Sequence, residues 1–321
     1  MFHILIERDN IMEEKYEIMS LLQSKQTLIK KLNDLIFGSI EIREKDTYRY
    51  IYVHYREDGV LLTKYVGEYS EDLYNLILNN NIKAKEIKKQ IRKIEKDLKQ
   101  LNYIDGEISP QVKINIDFAK RHLVDTIYKQ AILEGISVTF DNIENIIEGG
   151  KINNVSLEDV SKIINLKHAW EFILNKNVIL SDTNFSLLCE INKLVEERFY
   201  YSAGKIRTVQ VNIGGTNWKP DFPIESTIKE ELNDIFIKKI SDTDRAIELL
   251  LYVMKKQIFI DGNKRTSIIF ANHYLISKGK GVIVIPVELI DEYKDLLINY
   301  YEGKDNEKIK NFLKEKCYMK I

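Results

Sequence analysis

The chain has 321 residues, 44% of them hydrophobic and 30% charged, with a net charge of −1. That length allows two domains with a substantial core, and the charge balance gives no global pointer to nucleic acid or membrane. The two distant cysteines, Cys189 and Cys317, form neither a metal-ligand pattern nor a disulfide framework, and no apolar run approaches the ~20 residues of a membrane span.

The opening MFHILI run is cut off by Glu7, Arg8 and Asp9, too short for a signal-peptide core, so a cytoplasmic protein with no membrane partner is expected. Over residues 21–36, Leu22, Ile29 and Ile36 recur every seven, beside Leu28, Leu32 and Leu35, which predicts an amphipathic helix stopped by Phe37-Gly38. Short strands follow at 39–42 and 47–55, where TYRYIYVHY alternates strictly. Asp58-Gly59 predicts a hairpin turn and VLLTKYV the return strand. A second long helix carries Ile87, Ile91, Ile94, Leu98 and Leu101 at coiled-coil spacing. The expectation is a helical hairpin carrying a small antiparallel sheet, over residues 1–105.

One stretch of that module is basic: residues 85–99 hold seven Lys/Arg against three Asp/Glu. Its ordinary reading is the solvated face of an amphipathic helix. Together with Tyr48, Arg49, Tyr50 and Tyr52 it also has the composition of a nucleic-acid surface, against which the near-neutral total charge weighs.

NYIDGEISP (102–110) punctuates the pattern, and residues 106–321 read as a second, mainly α domain. Helices are expected at 110–133, 140–148, 157–175, 181–199, 226–240, 242–256, 263–278, 289–301 and 306–316. The exception is 205–213, KIRTVQVNI, whose alternation into Gly214-Gly215 predicts one arm of a β-hairpin. Asp242 is the expected N-cap of the 242–256 helix, and Gly279 closes its successor.

Between those two helices lies QIFIDGNKRTS (257–267). A glycine-containing loop feeding a helix N-terminus favours phosphate through free N–H groups and the helix dipole. Lys264 and Arg265 add charge and donors, Asp261 is a hard oxygen ligand suited to Mg²⁺ beside a phosphate, and Asn263 bonds a phosphate oxygen or fixes the loop. Taken alone, Asp-Gly-Asn would be a helix cap. Its place between two buried helices favours the phosphate reading.

The string IFIDGNKRT resembles the signature of Fic-domain proteins, HPFxDGN(G/K)RxxR. Three further stretches are similar to the family: residues 131–147, AILEGISVTFDNIENII, to its inhibitory segment; NLKHAWEFI to the next helix; and residues 203–223 to the β-hairpin flap that clamps the target. The likeness runs from about Pro110 to the C-terminus. It implies an all-helical Fic-like core with one β-hairpin flap, transferring AMP from ATP to a hydroxyl of a target protein, or of the protein itself, with ATP/ADP and Mg²⁺ as cofactors. By the same resemblance Asp261 is the metal-side carboxylate, Gly262, Asn263 and Arg265 the phosphate cradle with Lys264 beside them, Phe259 the anchor and Glu134 the inhibitory glutamate. Val211, Gly214 and Gly215 belong to the target-docking flap.

Three positions depart from the family. Gln257 stands where the catalytic histidine is, Ile268 where the second arginine is, and Gln130 where the inhibitory segment has a hydroxyl residue. An amide does not titrate, and losing a general base typically costs ~10²–10⁴ in rate. His273, nine residues past Lys264 on one helix and so about 13 Å away, is too far to replace it. Three readings follow: a slow nucleotidyl- or phosphotransferase, a catalytically inactive nucleotide-binding regulator that acts through a partner, or a nucleic-acid-associated protein acting through its N-terminal module.

Overall fold

The computed structural model of the chain describes residues 2–45, 47–57, 60–101, 108–152 and 154–321. Its contacts define two compact units, Met1–Ile104 and Asp105–Ile321. The Asp58-Gly59 turn and most of the 102–110 junction lie outside the described residues.

In the first unit, helix α1 (Phe2–Asn33) packs on helix α2 (Glu71–Gln100), and strands β1 (Ser39–Lys45), β2 (Tyr48–Glu57) and β3 (Val60–Glu68) lie between them in the chain. The helix expected at 21–36 is thus longer at its start and ends earlier, at Asn33. The sheet is antiparallel in the order β1-β2-β3, with Ile42 opposite Ile51 and Val53 opposite Lys64. Alternation along β2 turns Ile51 and Val53 towards Ile77 of α2. Tyr52 and Tyr65 meet with ring centroids 5.4 Å apart, and Arg43 lies 4.4 Å from the Tyr52 centroid. Ser70 caps α2 by accepting the Leu73 N–H, and of the expected seam Ile94 and Leu98 are buried.

The second unit is helical: α3 (Pro110–Arg121), α4 (Leu123–Leu133), α5 (Phe140–Glu148), α6 (Leu157–Ile173), α7 (Lys176–Ile179), α8 (Phe185–Val195), α9 (Glu225–Ile237), α10 (Asp242–Lys256), α11 (Asn263–Ser277), α12 (Ile290–Tyr301) and α13 (Glu307–Phe312). Helix α11 is the centre, with Ile269, Phe270, Ala271, Leu275 and Ile276 fully buried, and α10, α8, α6 and α3 pack around it. A two-residue ladder, β4 (Val282–Ile283) with β5 (Tyr318–Met319), ties the chain end to this core and was not expected from the sequence.

Four expectations need correction. The helix expected at 110–133 breaks at His122, which leaves helical dihedrals, while Arg121 Nε donates to the Asp117 carbonyl within the last turn of α3. The helix expected at 181–199 is shorter, because Asn184 caps it by accepting the Leu187 N–H. Ser241, not Asp242, caps α10: its Oγ accepts the Asp244 N–H at 3.1 Å.

The fourth concerns 205–213, which is not a strand: the segment makes no ladder. Pro220 and Pro223 on the facing stretch lack N–H donors, so a ladder there would be short of bonds. The buried Arg207 side chain holds the arms together instead. It donates to Val209 O at 2.8 Å, Asp221 O at 2.5 Å and Gln257 O at 2.6 Å, while Gln210 Nε2 reaches Pro220 O at 2.9 Å.

Candidate phosphate-binding site

Helix α10 ends at Gln257, whose backbone is left-handed (φ 48°) and whose N–H still reaches Val253 O. Ile258 and Phe259 then plunge into the core and anchor the loop, and Ile258 O accepts the Arg207 N–H at 3.0 Å. Asn263 is buried and bonds only inward. Its Oδ1 accepts the Phe259 N–H at 3.0 Å, and its Nδ2 donates to Phe259 O at 2.9 Å and to Gln257 Oε1 at 3.1 Å. Of the two roles open to Asn263 in the sequence, the structure shows the loop-fixing one.

Helix α11 begins without a side-chain cap, which leaves the N–H groups of its first turn without a partner inside the helix. Gly262 precedes them at φ 73°, and a Cβ there would lie 2.3 Å from Glu196 Oε1. Both the left-handed backbone and the close approach require glycine. Asp261 Oδ1 accepts the Gly262 N–H at 2.6 Å, and the Asp261 carbonyl accepts from Asn192 Nδ2 at 3.0 Å. Asn192 also takes the Gly204 N–H, joining α8, the loop and the start of the flap.

Arg265 is 3% exposed and surrounded by acid. Its Nη2 is 2.7 Å from Glu196 Oε1 and 3.7 Å from Asp261 Oδ1, and its Nε is 3.4 Å from Glu134 Oε2. Lys264 Nζ lies 3.4 Å from Glu134 Oε1. No N–H is aimed at Glu196 Oε1 despite the short distance, so that contact is an ion pair rather than an aligned hydrogen bond. Arg265 Nη1 is buried without a hydrogen-bond partner among the described residues. A buried guanidinium with an open donor is suited to an anion that can complete its fork.

Glu134 has two parts in the structure. It ends α4, with Gly135 left-handed after it, and it reaches Lys264 and Arg265. Gln130 is structural: Nε2 donates to Arg265 O at 3.3 Å, and Oε1 accepts the Trp170 indole N–H at 2.8 Å. Ile268 is buried beside Leu133 and Ile283. Gln257 Nε2 donates to Met254 O at 2.7 Å.

His273 is fully buried, donating from Nε2 to Val178 O at 2.9 Å, with Nδ1 2.8 Å from the Thr183 hydroxyl; burial pushes its pKa down to about 4. Val211 is half-buried, and Gly214 and Gly215 are exposed on the flap. The flap's end is pinned by Trp218 stacked flat on Tyr301 (centroids 5.6 Å, planes 6° apart) and by Thr216 donating to Glu302 at 2.7 Å.

The site residue that sequence reasoning missed is Glu196. It is 2% exposed, and burial pushes its carboxyl up to about 7 against the opposing pull of Arg265. It sits in the string EER at the end of α8, which in sequence reads as a solvated charge run. No cluster of three or more metal-ligating side chains occurs among the described residues. Asp261, half exposed at the helix start, fits the single carboxylate that Mg²⁺ uses when nucleotide phosphates supply the other oxygens. A cavity of about 580 Å³ lies across the flap between Trp218, Tyr252, Lys255 and Tyr300, and the loop does not line it.

A mainly helical unit with a fixed glycine loop between its two central helices defines the class. Residues 182–275 match the model of the Fic/DOC family. The protein adenylyltransferases fic-1 of Caenorhabditis elegans and Caenorhabditis briggsae are 26% and 25% identical to the chain over 175 residues, 52% of this chain. The match spans only 34% of each of those relatives. Solved structures of a C. elegans Fic-1 fragment and of its glutamate-to-glycine variant share the fold, with TM-scores of 0.51 and 0.52 at 20% identity. They cover 76% and 74% of this chain, and 73% of each fragment is matched. Among the described residues no helix is long and apolar enough to cross a membrane.

Proposed function

We propose that the second unit binds nucleotide phosphates at the Asp261–Arg265 loop and acts as a slowed protein adenylyltransferase. The observation that carries this is the uncapped start of α11 behind a loop fixed by Asn263, with the open donor of Arg265 beside it. ATP and Mg²⁺ bound there would supply the transferable AMP group and neutralise phosphate charge. Gly262 lets the backbone approach the phosphates, Lys264 and Arg265 balance their charge, and Asp261 offers the metal-side oxygen. The names of the fic-1 relatives support the reaction class.

Proton removal from the attacking hydroxyl is the weak step. Gln257 can orient that hydroxyl but cannot take its proton. The flap would hold the target as an extended segment by main-chain hydrogen bonds along Val211, Gly214 and Gly215. A pull-down of the target unaffected by deleting 214–218 would remove that part of the reading.

A second reading, nucleotide binding without turnover, is favoured by one observation: the Gln257 amide is already engaged on both sides, by Met254 O and by Asn263. Both readings require nucleotide at the loop. Calorimetric titration of ADP with Mg²⁺ should show affinity falling at least tenfold in Arg265→Ala, and equal binding by the two proteins would refute the site.

A further inference from the structure

The anion position at the start of α11 already has a negative group against it. Glu196 Oε1 packs so closely over Gly262 that a Cβ there would be 2.3 Å away, and the same oxygen is 2.7 Å from Arg265 Nη2. Helix N-terminus, glycine and arginine are the features that attract a phosphate. We propose that Glu196 is a built-in competitor for the anion, its carboxylate resting where a phosphate oxygen would, so that anion binding requires Glu196 to be protonated or displaced.

The charge balance agrees. Three carboxylates, Glu134, Asp261 and Glu196, face Lys264 and Arg265, while the nearby Lys162 is paired with Glu158 at 2.6 Å, so the ionised site is net negative and repels an anion. Neutral Glu196 brings it to balance. The groups facing Glu196 are Arg265 on α11, Asp261 on the loop, Glu134 at the end of α4 and Lys162 on α6. The Tyr200 phenol lies close by, its own pKa raised first by the charge on Asp261. With Glu196 pushed to about 7, the carboxyl is poised to exchange its proton near neutral pH. A ligand that binds better to the protonated form then takes up a proton on binding, and its affinity rises as pH falls through about 7.

This inference rests on the loop being an anion site, and the test separates the two. Sulfate, which does not titrate between pH 6 and 8, and ADP with Mg²⁺ are titrated calorimetrically into the full chain at several pH values, in buffers of different ionisation enthalpy. The natural protein should lose up to about tenfold in affinity for both from pH 6 to pH 8 and should take up a proton near neutrality. Glu196→Gln should bind both about tenfold more tightly than the natural chain at pH 8, with no proton uptake. If that variant fails to fold, Glu196→Asp, which withdraws the charge from Gly262 by one methylene, should also bind more tightly at pH 8. Equal affinity and equal pH slope in natural and variant chains overturn the inference while leaving the anion site intact. Weaker binding by Glu196→Gln at every pH also overturns it, making Glu196 a support for Arg265. Failure of the natural chain to bind either probe at pH 6 overturns the anion site itself, and the inference with it.

Discussion

Asn263 donates from Nδ2 to Gln257 Oε1 at 3.1 Å, so the first residue of α11 holds the residue that caps the C-terminus of α10. If Gln257 stands where a catalytic base would, as the Fic resemblance implies, that group is oriented by the loop and lacks only a titratable nitrogen. Gln257→His should raise transfer of labelled AMP, to the protein itself or to a partner, by at least an order of magnitude. Histidine is among the residues that tolerate the left-handed backbone found there. Phosphorimaging of the natural and variant chains under identical conditions decides the matter, and equal rates would mean that another group takes the proton.

Asn263→Ala should be costly to stability, because it strips partners from the buried Phe259 N–H and carbonyl at once. Buried polar groups left unpaired cost ~1–3 kcal/mol each, so a loss of about 2–4 kcal/mol is expected in urea denaturation. Lys264→Ala, at a half-buried side chain with one ion pair at 3.4 Å, should cost under ~1 kcal/mol. The reverse order would show that the loop is held by something other than Asn263.

Glu134→Gly should change nucleotide affinity by less than tenfold. Glu134 is 3.4 Å from both Lys264 and Arg265, Ile268 one turn on is buried and carries no charge to pair with it, and Glu196 stays closer to Arg265 after the change. Titration of ADP at fixed salt and pH checks this, and a larger gain would make Glu134 the dominant opposing charge.

His273 predicts a pH dependence whose sign follows from burial. Its folded pKa of about 4 lies below the ordinary 6.5, so between those values the unfolded chain binds the proton and the folded chain does not. The contribution is complete above about 6.5 and is lost as pH falls towards 4. Urea midpoints followed from pH 7.5 to 4.5 should drop more steeply in the natural chain than in His273→Gln. Parallel curves would place His273 in contact with solvent.

Much of the helical layout was legible because helix signals are local. The α10 boundaries, the start of α11 and α5 all follow from spacing and flanking residues within a few positions, and the loop motif could be read as an anion site for the same reason. The strand expectation at 205–213 failed because alternation describes one strand and says nothing of its partner. Pairing was decided by Pro220 and Pro223 across the flap and by the buried Arg207.

By itself the sequence determined where the central helices lie, that a glycine loop joins them, and that no titratable group stands at Gln257, since each depends on neighbours along the chain. Only the tertiary structure decided which charges meet. Glu196 comes from the end of α8 and Glu134 from the end of α4, and both converge on Arg265 because α4, α6 and α8 pack around the site. Burial is a property of that packing, and burial is what turns a charge that reads as solvated into a carboxyl pushed up to about 7 at the site's centre.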